Sequence, residues 1–288
     1  MVPQLLAHLD VSHVSIASHS GGDIYLMNTI LTHPSLLHPT NPYVCFFAPW
    51  VHYTHSRVPH LLATGLLPAS LIGKFGALGK FVNQNVVPVV GLSGSLVTGF
   101  KASLQSSGPL PGPVALTAFN ATSTPEPSNG SSGGLQDIDL DDIQVVDELR
   151  NEITKFVFAE NVDGVSADTQ LFLKRTVTWR SPNIDWDDFD DAVKLLSKVI
   201  SEDDRLTGSN RTWAIDCFHA ENDQMVGEKG KQWFNDIWVS SQSYEYQSCD
   251  VKGTEHNFLL DPAFGASEIW LRRVSEAWRS SESDGVAP

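Results

Sequence analysis

Between Val11 and Ala17 the β-branched residues stand at 11, 14 and 16, and Ser18-His19-Ser20-Gly21-Gly22 then breaks that rhythm. From Gly22 to Thr32, Ile24, Leu26, Met27 and Ile30 recur at helical spacing, and Pro34 ends the run. The pattern predicts a strand that turns sharply into a helix, with Ser20 at the corner. A second strand-like apolar run, YVCFFAPW (43–50), follows the turn-rich THPSLLHPTNP; RTWAIDCFH (211–219) and SYEYQSCDV (243–251) are the third and fourth. Gly227 to Val239 reads as a helix through Trp233, Ile237 and Trp238. Asp261-Pro262 starts another, with Trp270, Leu271, Val274, Ala277 and Trp278 on one face. Strands alternating with helices in this way predict an α/β fold with a parallel sheet and flanking helices.

The interval 51–205 follows a different pattern. It opens with apolar, Gly-rich helices from Leu61 to Phe100. A Ser/Pro/Gly/Thr tract follows, and residues 102–136 are expected to be disordered because they cannot bury enough apolar surface. After the acidic cluster Asp137 to Asp142 come two amphipathic helices, one marked by Val145, Val146, Leu149, Ile153 and Phe156, the other by Trp186, Phe189, Val193, Leu196 and Ile200. The interval reads as a helical insertion between the second and third strands. Its longest uncharged run, Phe81 to Phe100, contains Asn83, Gln84, Asn85 and Pro88, too polar and broken for a membrane span. Peripheral contact with lipid, or with a lipophilic substrate, stays open.

Charge narrows the function. The 288 residues carry a formal net charge of −15, which excludes nucleic acid as the expected partner because a phosphate backbone demands basic surface. Residues 1–125 hold four basic and two acidic residues, the remainder fifteen basic and thirty-two acidic, and no Asp or Glu occurs between Ile24 and Pro125. Cys45, Cys217 and Cys249 have no motif spacing and lie in strand-like runs. They read as buried free thiols of a protein in a reducing compartment, and a cytoplasmic location is expected. The N-terminus lacks the pattern of a signal peptide, so the sequons at Asn120, Asn129 and Asn210 are expected to stay unused.

Ser18-His19-Ser20-Gly21-Gly22 is a relaxed G-x-S-x-G elbow with Ser18 in place of the first glycine. A nucleophile on so tight a turn needs small neighbours two residues to either side, and the Gly21 N–H would face a developing oxyanion at the helix N-terminus. The bland alternative is a Gly-rich turn with an ordinary serine. A catalytic serine needs a histidine base and an orienting acid. His256, in GTEHNFLL after the fourth strand, is the candidate base. His52, His55 and His60 read as surface or cap residues, and His52-x-x-His55 lacks the partner set of a metal site. The acid-free stretch rules out an acid after the second strand, which leaves HAENDQMV after the third. There Asp223 is favoured, Glu221 is its nearest competitor, and Asp216 lies inside the strand. No cofactor is expected.

IASHSGG (16–22), PYVCFFAPW (42–50), HAENDQMV (219–226) and GTEHNF (253–258) resemble the α/β-hydrolase superfamily, in its cap-bearing branch with a serine nucleophile. With its Ser/Pro-rich interruption the chain is similar to fungal members of that branch. The resemblance implies residues 1–50 and 206–280 as core, 51–205 as a helical cap, and 281–288 as a tail. It implies Ser20 as nucleophile, His256 as base, Asp223 as orienting acid, and an ester-like small-molecule substrate cleaved through an acyl-enzyme. About four strands precede the nucleophile strand in this family, and a His-Gly loop among them supplies a second oxyanion N–H. Only nineteen residues precede Ser20 here, so the expectation is a partial, truncated fold whose Val11–Ala17 strand is a bare edge. A catalytically impaired binding protein and an acyltransferase on the same scaffold are the alternatives.

Overall fold

The pentapeptide Tyr43–Phe47 is buried along its whole length, and that burial sets the layer order of the molecule. A strand points successive side chains to opposite faces. Val44 and Phe46 therefore enter one apolar cluster, and Tyr43, Cys45 and Phe47 enter a second. A run that is apolar on both faces needs helices on both sides, which is the usual condition of a parallel sheet.

The computed structural model describes residues 2–66, 144–145, 148–149, 163–174, 180–181, 184–208, 211–238 and 241–283. Among them, β1 (Ile16–His19), β2 (Tyr43–Phe47), β5 (Trp213–Ala220) and β6 (Tyr244–Val251) form one parallel sheet in that order. Arg180–Ser181 (β3) and Ile184–Asp185 (β4) make a small separate antiparallel pair. On one face lie α2 (Gly22–Thr32), the long helix Phe189–Thr207, here α6, and Gly227–Asp236, here α7. They contribute Leu26, Met27, Ile30, Leu196, Ile200 and Phe234 against Val44, Phe46, Trp213 and Ile215. On the other face, Ile269, Trp270, Val274 and Ala277 of Ala266–Ser283 (α8) pack on Phe47, Phe218 and Val251. The remaining helices are α1 (Val2–His8), α3 (Tyr53–Ser56), α4 (Pro59–Thr64) and α5 (Asp163–Phe172).

Three sequence expectations need correction. The first strand begins at Ile16, not Val11. Residues 9–11 are spent closing α1, with Asp10 at φ +55° and Val11 N–H bonded to the Leu6 carbonyl (2.9 Å), a Schellman closure. Among the described residues Val14 makes only an isolated bridge to Leu37, and β1 lies at one edge of the sheet. The second correction concerns α6. It begins at Phe189, so Trp186, expected on its apolar face, precedes the helix, while Leu196 and Ile200 join the sheet cluster together with α2. Third, Leu271 is 57% exposed, because the α8 face that meets the sheet runs through 266, 270, 274 and 277, and residue 271 is turned about 100° away from 270. The tract 102–136, the run Phe81 to Phe100 and most of the helix expected over 145–156 lie outside the described residues.

Asp216 is buried on the α8 face. Arg273 of α8 donates to both of its carboxylate oxygens at 2.7 Å, and the Tyr43 hydroxyl donates to Oδ2 at 2.9 Å. This fork fixes α8 to the centre of the sheet. Removing one partner leaves a buried charge uncompensated, so Arg273→Met is expected to cost about 3–5 kcal/mol in chemical denaturation at neutral pH, nearer the lower figure because the guanidinium is partly exposed. A loss below about 1 kcal/mol would show that the pair is not holding the helix.

Candidate active site

The elbow is built by continuing the β1–β2 ladder one residue past the strand. Ser20 N–H donates to the Phe47 carbonyl (2.9 Å), while the Ser20 carbonyl accepts from Asp23 N–H (3.1 Å) and Trp50 N–H (3.3 Å). These bonds hold Ser20 at φ +53°, a left-handed backbone that costs a non-glycine residue on the order of 1–3 kcal/mol. The chain can then leave β1 and enter α2 with only Gly21 between the turn and the helix. The turn brings the two flanking positions together: a Cβ on Gly22 would lie 3.4 Å from the Ser18 Cβ, in van der Waals contact. Ser18 Oγ, standing where the motif has glycine, is buried without a hydrogen-bond partner among the described residues.

His256 opens a short 3₁₀ turn, His256–Phe258, after β6, and Asp223 lies in the turn between β5 and α7. His256 Nδ1 is 2.8 Å from Asp223 Oδ2, and its Nε2 is 2.8 Å from Ser20 Oγ. Burial works against ionisation of Asp223. The hydrogen bond from His256 and those from Val226 and Met225 N–H to Oδ1 outweigh it and hold the carboxyl below its usual range. An ionised Asp223 only accepts, so Nδ1 carries the proton and Nε2 is left to accept the Ser20 hydroxyl. The structure thus brings Ser20, His256 and Asp223 into one hydrogen-bonded chain from three separate loops at the carboxyl ends of their strands.

The competing acids have other partners. Glu221 accepts from Gly253 N–H and Lys252 Nζ, both at 2.9 Å, and Asn222 N–H donates to the Thr254 carbonyl (3.0 Å). These bonds tie the acid-bearing loop to the histidine-bearing loop. Asp216 faces α8, as described. His55 stacks on Trp233 with ring centroids 4.0 Å apart and pairs with Asp188 at 2.9 Å. His52 contacts Thr54 and is pushed down to about 4, chiefly by burial and next by the Lys174 charge. His60 lies in α4. Among the described residues no cluster of His, Cys, Asp or Glu could hold a metal ion. Cys45, Cys217 and Cys249 are buried free thiols, and burial raises the pKa of each.

Sequence reasoning missed two residues beside the elbow. His19 Nε2 donates to the His256 carbonyl (2.8 Å), with the two rings 5.2 Å apart, so the residue preceding Ser20 also holds the loop of the base. Its place next to Ser20 was the only signal available. The second is Asp23, fully buried in the first turn of α2, where Oδ1 accepts from Ile24 N–H (2.7 Å) and Oδ2 has no partner among the described residues. Burial raises its pKa well above the usual carboxyl value.

The four-stranded parallel sheet of the described residues, with helices on both faces and a left-handed serine between strand and helix, fits a partial α/β-hydrolase fold. No family model matches the chain, and no curated protein matches it either. Solved structures similar to it include BpoC of Mycobacterium tuberculosis H37Rv, described as a non-heme bromoperoxidase (10% identity, TM-score 0.41, covering 96% of this chain and 72% of that chain). A haloalkane dehalogenase loop variant from Bradyrhizobium elkanii matches at 10% identity and TM-score 0.44, covering 98% and 74%. Esterase E22 matches at 10% identity and TM-score 0.40, covering 94% and 64%. These names span different reactions, so the chemistry has to be argued from the side chains of this chain. Among the described residues no helix is long and apolar enough to cross a membrane.

The buried Asp23 yields a pH prediction. Its pKa is raised in the folded state, so the stability it contributes is complete below the unfolded value near ~3.9 and falls as pH rises towards the folded value. Asp23→Asn removes that dependence. Relative to the native chain, the variant is expected to gain up to about 1.4 kcal/mol per pH unit from pH 5 upwards, read from denaturation curves at several pH values. Parallel stability–pH curves would show that Asp23 is already ionised when folded.

Proposed function

We propose that this chain is a serine hydrolase that cleaves a small or lipophilic ester-like substrate through an acyl-enzyme. The observation that carries the reading is the Ser20–His256–Asp223 chain, at 2.8 Å in both links, with its serine held in the left-handed conformation of an elbow. In this reading Ser20 Oγ attacks the substrate carbonyl carbon while His256 Nε2 takes its proton. Asp223 keeps the imidazole in the productive tautomer and stabilises the imidazolium that forms. The negative charge on the carbonyl oxygen is received by the Gly21 N–H at the N-terminus of α2. An ionised Asp23 in that same first turn would oppose the oxyanion, and burial raises its pKa well above the usual carboxyl value. His256 then gives the proton to the leaving alcohol, and water repeats the sequence to release the acid.

A serine at this position favours an acyl-enzyme over the alkyl-ester chemistry of a dehalogenase, which needs a carboxylate nucleophile. Gly21 is the one oxyanion donor assigned. One such donor is worth about 2.7–4 kcal/mol of barrier. We also assign 51–205 as a helical cap insertion; among its described residues, the packing of Phe172 of α5 on Gly21 supports this. The three buried free thiols suit a reducing, cytoplasmic setting.

The test is turnover of short p-nitrophenyl esters. Ser20→Ala is expected to lower kcat by about 10⁴-fold or more, and Asp223→Asn by roughly 10³–10⁴-fold, with KM changing little. Turnover that survives Ser20→Ala would remove the reading.

A further inference from the structure

Gly21 follows the serine, and its missing side chain matters for a reason other than backbone freedom, since its φ is −60°. The place a Cβ would occupy is filled by the ring of Phe172, whose Cε1 would lie 2.8 Å from it and whose other edge atoms would overlap it. Phe172 closes α5, a helix linked to α2 by the Tyr25 hydroxyl donating to Asp168 (2.5 Å). The ring also meets Trp50, centroids 5.8 Å apart, and Trp50 in turn donates its N–H to the Ser20 carbonyl. An aromatic pair therefore stands on the elbow, with the Phe172 ring against the Cα of the residue whose N–H is assigned to the oxyanion.

We infer that Phe172 is a specificity-determining residue whose ring restricts the acyl group to short chains; this rests on the serine hydrolase reading. The leaving oxygen must face His256 Nε2 to be protonated, which directs the acyl chain to the other side of the carbonyl carbon. The carbonyl oxygen sits at hydrogen-bond distance from Gly21 N–H, so the first carbons of the acyl chain run beside the residue packed on Gly21. Phe172 is that residue, and Trp50 packs against its ring. An acetyl group fits against their edges, whereas a chain of eight carbons has to displace the Phe172 ring from Gly21. One methylene in an apolar pocket is worth only a modest factor, so the discrimination comes from the steric stop and grows with chain length.

The experiment compares kcat/KM for p-nitrophenyl acetate, butyrate and octanoate in the native chain, Phe172→Ala and Phe172→Leu, with a common leaving group. The octanoate-to-acetate ratio is expected to rise at least about tenfold in Phe172→Ala and by less in Phe172→Leu. A change below twofold overturns the inference while leaving the hydrolase reading intact. If a short-chain fluorophosphonate fails to label Ser20 in the native chain, the hydrolase reading fails and the inference falls with it. Melting temperatures supply the independent check. Gly21→Ala should lower Tm by several degrees when Phe172 is present, and adding Phe172→Ala should recover at least half of that loss. A Gly21→Ala variant as stable as the native chain would show that the ring does not rest on Gly21, and would overturn the inference as well.

Discussion

The bond from Ser20 N–H to the Phe47 carbonyl makes the elbow possible. It extends the parallel ladder past the end of β1, so the backbone of Ser20 is held by the sheet while its side chain has already left the strand. Without that bond the left-handed φ of Ser20 would relax into an ordinary turn, since a strained dihedral persists only where its surroundings over-determine it. The next strand repeats the device: Ala48 also has a positive φ and donates to the Phe218 carbonyl (2.8 Å). Each strand is thereby locked to its neighbour at its carboxyl end. The loops that leave there start from fixed points.

That locking lets residues more than two hundred positions apart meet within hydrogen-bond range. Asp223 is held by two backbone N–H groups of its own turn, and Glu221 and Asn222 stitch that turn to the loop carrying His256. His19 then ties the His256 backbone to the strand that presents Ser20. The base is thus fixed from both sides, by Asp223 through its ring and by His19 through its carbonyl. Precise placement of this kind would let a proton move between Oγ and Nε2 without reorganising the loops.

The grouping of the candidate site residues was more legible in the sequence than the packing. Local pattern carried α2 to its observed limits, because a Gly pair and a proline bracket its apolar positions. The order of Ser20, Asp223 and His256 followed from which loops contain an acid at all, and the structure places the three side chains in contact. The start of β1 was misread because β-branched residues at 11 and 14 look like a strand, whereas the turn that closes α1 consumes Val11 and Val14 makes only an isolated bridge. Helix α6 showed its amphipathic face, but periodicity does not say what that face will meet. His19, Asp23 and Phe172 could not be read at all. Their roles depend on burial and on contacts between distant segments, and a single sequence carries neither.

The account stands or falls on Ser20 forming a covalent acyl intermediate. The most direct measurement is intact-protein and peptide mass spectrometry of the chain quenched in acid within the first turnover of a p-nitrophenyl ester. The account predicts one acyl group per chain, carried on the peptide that contains Ser20 and absent from the Ser20→Ala chain. An acyl group on any other residue, or ester turnover with no acylated species at all, would contradict it.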